Sequence, residues 1–196
     1  MASQLDICNS ALIKLGGMPL VALNDGSKEG TVLSARYNMC RDYVLREHPW
    51  KCAIKRVSLA PLSGTPLSDP RTLRQWQYAF QLPADYIRLV LNDDDRLFFQ
   101  VEGNTFLSNE QSVMIKYVWQ VSDPNIFDSH LAETIAWYLA QDVSMNLIQN
   151  TAVSDRMTKN YIGFLSKAKF IDASTSRATT QNEYFYENVR MQANHI

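Results

Sequence analysis

The sequence predicts an α+β protein: a four-helix bundle with an inserted, mostly antiparallel β region and an extended carboxyl-terminal arm. Three observations carry that expectation. Apolar residues repeat at helical spacing in two pairs of segments, a period of two appears only between those pairs, and Pro and Gly crowd the same middle stretch. Amphipathic helices in two sequence-separated pairs need each other's apolar faces, and a bundle supplies them. The expected units are 1–49 for the first helix pair, 50–123 for the β insert, 124–172 for the second pair and 173–196 for a docking arm.

Ser3 and Asp6 have the spacing of a capping box, so a first helix starts there. Leu5, Cys8, Leu12 and Leu15 form its apolar stripe, and Gly16-Gly17 with Pro19 beyond stop it near Leu15. Asn24-Asp25-Gly26-Ser27 is a turn cluster able to cap the next helix. Leu33, Tyr37, Cys40 and Val44 share one face of that helix, and Val32, Ala35 and Met39 widen it. Pro49 disfavours helical backbone at His48, which ends the helix near Glu47.

From Trp50 to Val121, prolines and glycines break runs of β-branched and aromatic residues. Val113, Ile115, Tyr117, Trp119 and Val121 alternate with Met114, Lys116, Val118 and Gln120, and the first set is expected to face a core. Leu97 to Val101 and Thr105 to Leu107 flank Glu102-Gly103-Asn104, the residue chemistry of a tight hairpin. Trp76 to Leu82 and Tyr86 to Leu91 are the expected partner strands. After Pro124, Leu131, Ile135, Leu139, Val143 and Leu147 recur every four residues beside Ala132, Ala136 and Ala140. A fourth stripe follows in Met157, Tyr161, Phe164, Leu165, Ala168 and Ile171. Beyond Asp172 the chain turns polar and aperiodic, then carries Tyr184-Phe185-Tyr186 with Val189 and Met191 behind.

Composition narrows the function classes. With 19 Lys and Arg against 20 Asp and Glu, the formal charge of −1 gives no general drive toward a phosphate backbone. Cys8, Cys40 and Cys52 are odd in number and widely spaced, so they read as small buried hydrophobes in a reducing compartment. The amino terminus lacks a signal-peptide pattern, and no apolar run is long enough to span a bilayer. An intracellular, soluble chain with no membrane partner is expected.

Chemistry-bearing constellations are few. His48, His130 and His195 stand at no metal-ligand spacing, and His48 is expected to bond the last carbonyls of the second helix. Asp93-Asp94-Asp95 lacks the glycine and terminal glutamate of a calcium loop and reads as a solvated turn. Gly16-Gly17 opens no helix and precedes no Lys-Ser or Lys-Thr, and no nucleophile elbow occurs. The expectation is no enzyme, no metal and no cofactor. Lys51, Lys55 and Arg56 beside Trp50 form the most basic stretch, either a solvated strand or a nucleic-acid binding module. Tyr184, Phe185, Tyr186, Val189 and Met191 are the docking candidates, since each aromatic gains roughly 1.5–3 kcal/mol on burial. They need a surface on another subunit, on another protein, or on their own bundle.

Two stretches then matter together. Leu45-Arg46-Glu47-His48-Pro49-Trp50-Lys51-Cys52-Ala53-Ile54-Lys55-Arg56-Val57-Ser58-Leu59 joins a Pro-Trp turn to a basic strand. Trp76-Gln77-Tyr78-Ala79-Phe80-Gln81-Leu82-Pro83-Ala84-Asp85-Tyr86-Ile87-Arg88-Leu89-Val90 contains a Trp-x-Tyr-Ala-aromatic-x-Leu-Pro-x-Asp run. Their order resembles the tail tubular protein A family of short-tailed bacteriophages, the head-to-tail adaptors. Ala11-Leu12-Ile13-Lys14-Leu15-Gly16 with Pro19, the total length, and the helix pair after Pro124 extend the likeness over most of the chain. Cys52 departs from it, standing where the pattern carries a second aromatic, and the arm beyond Asp172 matches nothing residue by residue.

The resemblance implies a virion tail protein, made in the host cytoplasm, that forms a dodecameric ring between portal and tail nozzle protein. Double-stranded DNA would pass through it without sequence-specific binding. Pro49, Trp50, Trp76, Tyr78, Pro83 and Asp85 become structural motif residues, and the arm would meet portal or a neighbouring subunit.

Overall fold

Helices and strands occupy separate stretches of the chain, and the computed structural model describes residues 2–62, 76–90 and 97–174. The architecture is mixed α+β, with helices α1 (Gln4–Lys14), α2 (Lys28–Glu47), α3 (Ser129–Leu147) and α4 (Thr151–Ser174). Between them lie β1 (Ile54–Leu59), β2 (Tyr78–Gln81), β3 (Tyr86–Val90), β4 (Phe99–Glu102), β5 (Thr105–Ser108) and β6 (Val113–Trp119). The docking candidates Tyr184, Phe185, Tyr186, Val189 and Met191, and the Asp93-Asp94-Asp95 run, lie outside the described residues.

Local chemistry sets the helix boundaries. Ser3 and Asp6 cap each other's backbone at α1, and Ser27 accepts the Gly30 N–H at the start of α2. Asp128 caps α3 through the Leu131 N–H. His48 takes an extended backbone (φ −148°, ψ 147°), the conformation a residue before proline prefers, so α2 stops at Glu47. Two details differ from the sequence pattern. The buried face of α2 turns toward Arg41 and Leu45 and leaves Ala35 and Met39 exposed, and α4 runs through Ser174, past the expected start of the arm.

α3 is the central helix and packs against α1, α2 and α4. Leu131, Ile135, Leu139 and Val143 are fully buried there, with Ala136 and Ala140 between them, so large side chains fill the core while the alanines let neighbours approach. Each such apolar side chain stabilises the fold by roughly 1.5–3 kcal/mol. Lys14 pairs with Glu133, Arg36 pairs bidentately with Asp142, and Lys169 pairs with Glu47, tying the helices together at the rim.

The strands form two three-stranded sheets, ordered β1-β6-β3 and β2-β5-β4, and every pairing within them is antiparallel. β4 and β5 are joined through Gly103-Asn104, with Gly103 at φ +58°, the backbone that the first position of a type II′ turn reserves for glycine. Leu59, Phe80, Phe106, Val113, Ile115 and Tyr117 form a second, smaller core between the sheets.

β6 serves both cores, which alternation alone did not indicate. Val113, Ile115 and Tyr117 face a core, as expected, and it is the core shared with the second sheet. Val118, on the opposite face, is fully buried in the helical core, and Val121 joins it beyond the strand's end. The first sheet is therefore covered by helices at one end of one face and by the second sheet on the other.

Candidate functional site

The motif residues gather around the turn that follows α2. Trp50 is fully buried, and its indole N–H donates to the Val44 carbonyl of the last turn of α2 over 2.9 Å. The ring thus caps a carbonyl that helix geometry leaves without a partner. His48, expected to do that work, instead places Nε2 2.9 Å from Asp172 Oδ2 on α4, with its ring edge-on to Trp50. Arg88 on β3 supplies another cap by donating to the Arg46 carbonyl, while Arg46 donates back to the Ile87 carbonyl.

The two motif stretches meet at Asp85. Its carboxylate accepts from Lys55 Nζ at 2.6 Å and from the Tyr117 hydroxyl at 2.9 Å, and its backbone carbonyl accepts the Gln120 N–H. Burial pushes the Asp85 carboxyl up, but the Lys55 and Tyr117 hydrogen bonds outweigh it and hold the group below its ordinary value. Burial, helped by Asp85, raises the Tyr117 hydroxyl to about 12, so it remains a donor. Lys55 Nζ also lies 3.6 Å over the Trp119 ring. Pro83 begins the turn that aims Asp85, its carbonyl accepting the Tyr86 N–H. Trp76 donates to the Gln100 side chain, and Tyr78 opens β2 against Ser108 of β5.

A cleft of about 460 Å³ opens between the Pro49 turn, the first sheet and the end of α4. Ile54, Arg56, Lys116 and Val90 line the sheet side, and His48, Lys51 and Asp172 line the other. Arg56 and Lys116 are direct cross-strand partners, so their charges repel across the ladder. The Asp172 carboxylate accepts the Lys51 backbone N–H, and the Lys51 ammonium donates to the Asp172 carbonyl at the end of α4. A cation at a helix C-terminus also complements its dipole.

This geometry bears on the basic stretch. The fully buried Trp50 presents no face on which a base could stack, and Lys55 is engaged by Asp85, while Lys51 and Arg56 are exposed. Among the described residues no three His, Cys, Asp or Glu side chains gather as a metal set. No helix among them is long and apolar enough to cross a membrane. Burial raises the Cys8 and Cys40 thiols to about 12 and the Cys52 thiol to about 11. These cysteines behave as small apolar fillers.

Sequence reasoning missed Lys116, Val90 and Asp172. Lys116 offered one signal, a cation within the alternating strand, but its place opposite Arg56 follows only from the β1-β6 register. No protein-family model matches the chain, and no curated protein matches it.

Proposed function

We propose that the chain is a head-to-tail adaptor of the tail tubular protein A kind, a non-enzymatic subunit of a dodecameric ring between portal and tail nozzle protein. The observation that supports this reading best is the meeting of the two motif stretches at the 2.6 Å pair of Lys55 and Asp85, residues thirty positions apart. Their order in the sequence resembles the adaptor family, and their junction gives that order a physical reason: the Pro-Trp turn anchors α2 while Asp85 fastens the strand that leaves it.

In this reading the four helices form a bundle whose outer faces pack on neighbouring subunits. Ile13, Met39, Ile162 and Phe170 are large apolar side chains exposed on α1, α2 and α4, and an assembly would cover them. The arm beyond α4 reaches portal or a neighbour with Tyr184, Phe185, Tyr186, Val189 and Met191. The near-neutral charge suits a conduit for double-stranded DNA, since each phosphate contact adds salt-sensitive affinity that would retard passage.

Electron microscopy of the protein mixed with portal is the test. Rings seated on portal are expected, and subunits that never join portal would count against the assignment. The second reading, a nucleic-acid module built on Trp50, Lys51, Lys55 and Arg56, requires saturable binding at physiological salt that is lost on Lys51→Ala and Lys55→Ala.

A further inference from the structure

The cleft at the end of α4 concentrates positive charge on an apolar floor. Arg56 and Lys116 stand opposite each other on β1 and β6, neither drawn into an ion pair among the described residues, and Lys51 and His48 flank them. Pro49, Ile54 and Val90 supply the apolar part of the lining. Among the described residues Asp172 is the carboxylate lining the cleft, and it already bonds His48 and the Lys51 backbone. The ligand such a surface fits is an aromatic segment flanked by carboxylates.

The chain itself carries one. Glu183-Tyr184-Phe185-Tyr186-Glu187 places three rings between two glutamates. Ala173, in the last turn of α4, lines the cleft, so the backbone passes its lip before Ser174. Glu183 stands nine positions further on, a tether that reaches at most about 30 Å when fully extended. Tethers this short give effective concentrations in the millimolar range, which favours a chain's own segment over the same segment of a second copy.

We propose that in the free subunit residues 183–187 occupy this cleft of the same chain. Glu183 and Glu187 pair with Arg56 and Lys116, and the rings cover Pro49, Ile54 and Val90. The docking stands without the adaptor reading; what rests on that reading is its use, which is to store the aromatic cluster until a partner surface displaces it.

Amide hydrogen exchange on the full chain tests the docking. Exchange at residues 184–188 is expected to be at least tenfold slower than in a free peptide of that sequence, at every protein concentration. The Arg56→Glu/Lys116→Glu pair is expected to abolish the protection, and adding Glu183→Lys/Glu187→Lys to restore it. Free-peptide rates in the unaltered chain would overturn the proposal, as would protection indifferent to the charge reversal. Protection that grows with concentration would assign the cleft to a second copy's segment and overturn the docking within one chain. Should the reversed pair not fold, a photo-crosslinker at position 185 decides the matter, with adducts expected on the Ile54 or Val90 peptide of the same chain. Adducts elsewhere, or between chains, would refute it. Ring formation with portal is a separate readout, so either idea can fail alone.

Discussion

Replacing Asp85 by Asn removes the charge at the junction of the two motif stretches while keeping its shape. Two interactions change. The Tyr117 hydroxyl, on a side chain only 3% exposed, exchanges a carboxylate acceptor for an amide oxygen, a loss of about 1 kcal/mol given the usual gap between charged and neutral hydrogen bonds. The Lys55 pair also goes, but its side chains are 42% and 33% exposed, and solvent screening holds it to roughly 0.2–1 kcal/mol. The expected total of about 1–2 kcal/mol corresponds to roughly 3–6 °C in melting temperature for a chain of this size.

The pH dependence fixes the cause. Asp85 titrates in the folded chain below its ordinary value of 3.8, so its contribution is complete above that pH and disappears as pH falls through the folded value. Urea unfolding of both proteins from pH 7 downward should show a constant gap that closes in acid below about pH 4. A gap smaller than about 0.3 kcal/mol at pH 7, or one that persists undiminished at pH 2, would refute the clamp.

Trp50→Phe strands the buried Val44 carbonyl and should cost about 1–3 kcal/mol in the same unfolding assay. Gly103→Ala forces a left-handed backbone on a residue with a Cβ and should destabilise the hairpin by about 1 kcal/mol, again read by urea midpoint. Cys8 and Cys40, buried and with thiols raised to about 12, should resist a thiol-reactive disulfide at neutral pH until the protein unfolds. Labelling of either in the native state at the rate of a free thiol would contradict their assignment to the core.

How much of this was legible from sequence depends on the range of the forces involved. The Ser3-Asp6 box, the Pro49 stop and the Gly103 turn were readable because each is decided within a few residues by backbone sterics and capping. The two-sidedness of β6 was not, since a period of two presumes one buried face, and Val118 is buried by helices distant in sequence. The His48 expectation failed for the same reason: Trp50 and Arg88 took the α2 carbonyls, which freed the imidazole for Asp172. Arg56 was visible as a basic residue, but its opposition to Lys116 required the strand register. The motif residues were found through their order rather than their contacts, and the Lys55–Asp85 junction supplied the contact afterwards.

Native mass measurement of the full chain, alone and after mixing with portal, tests the proposed assembly most directly. The adaptor reading predicts a discrete complex in which portal gains a full ring of subunits. A chain that stays monomeric at every ratio of portal would contradict it.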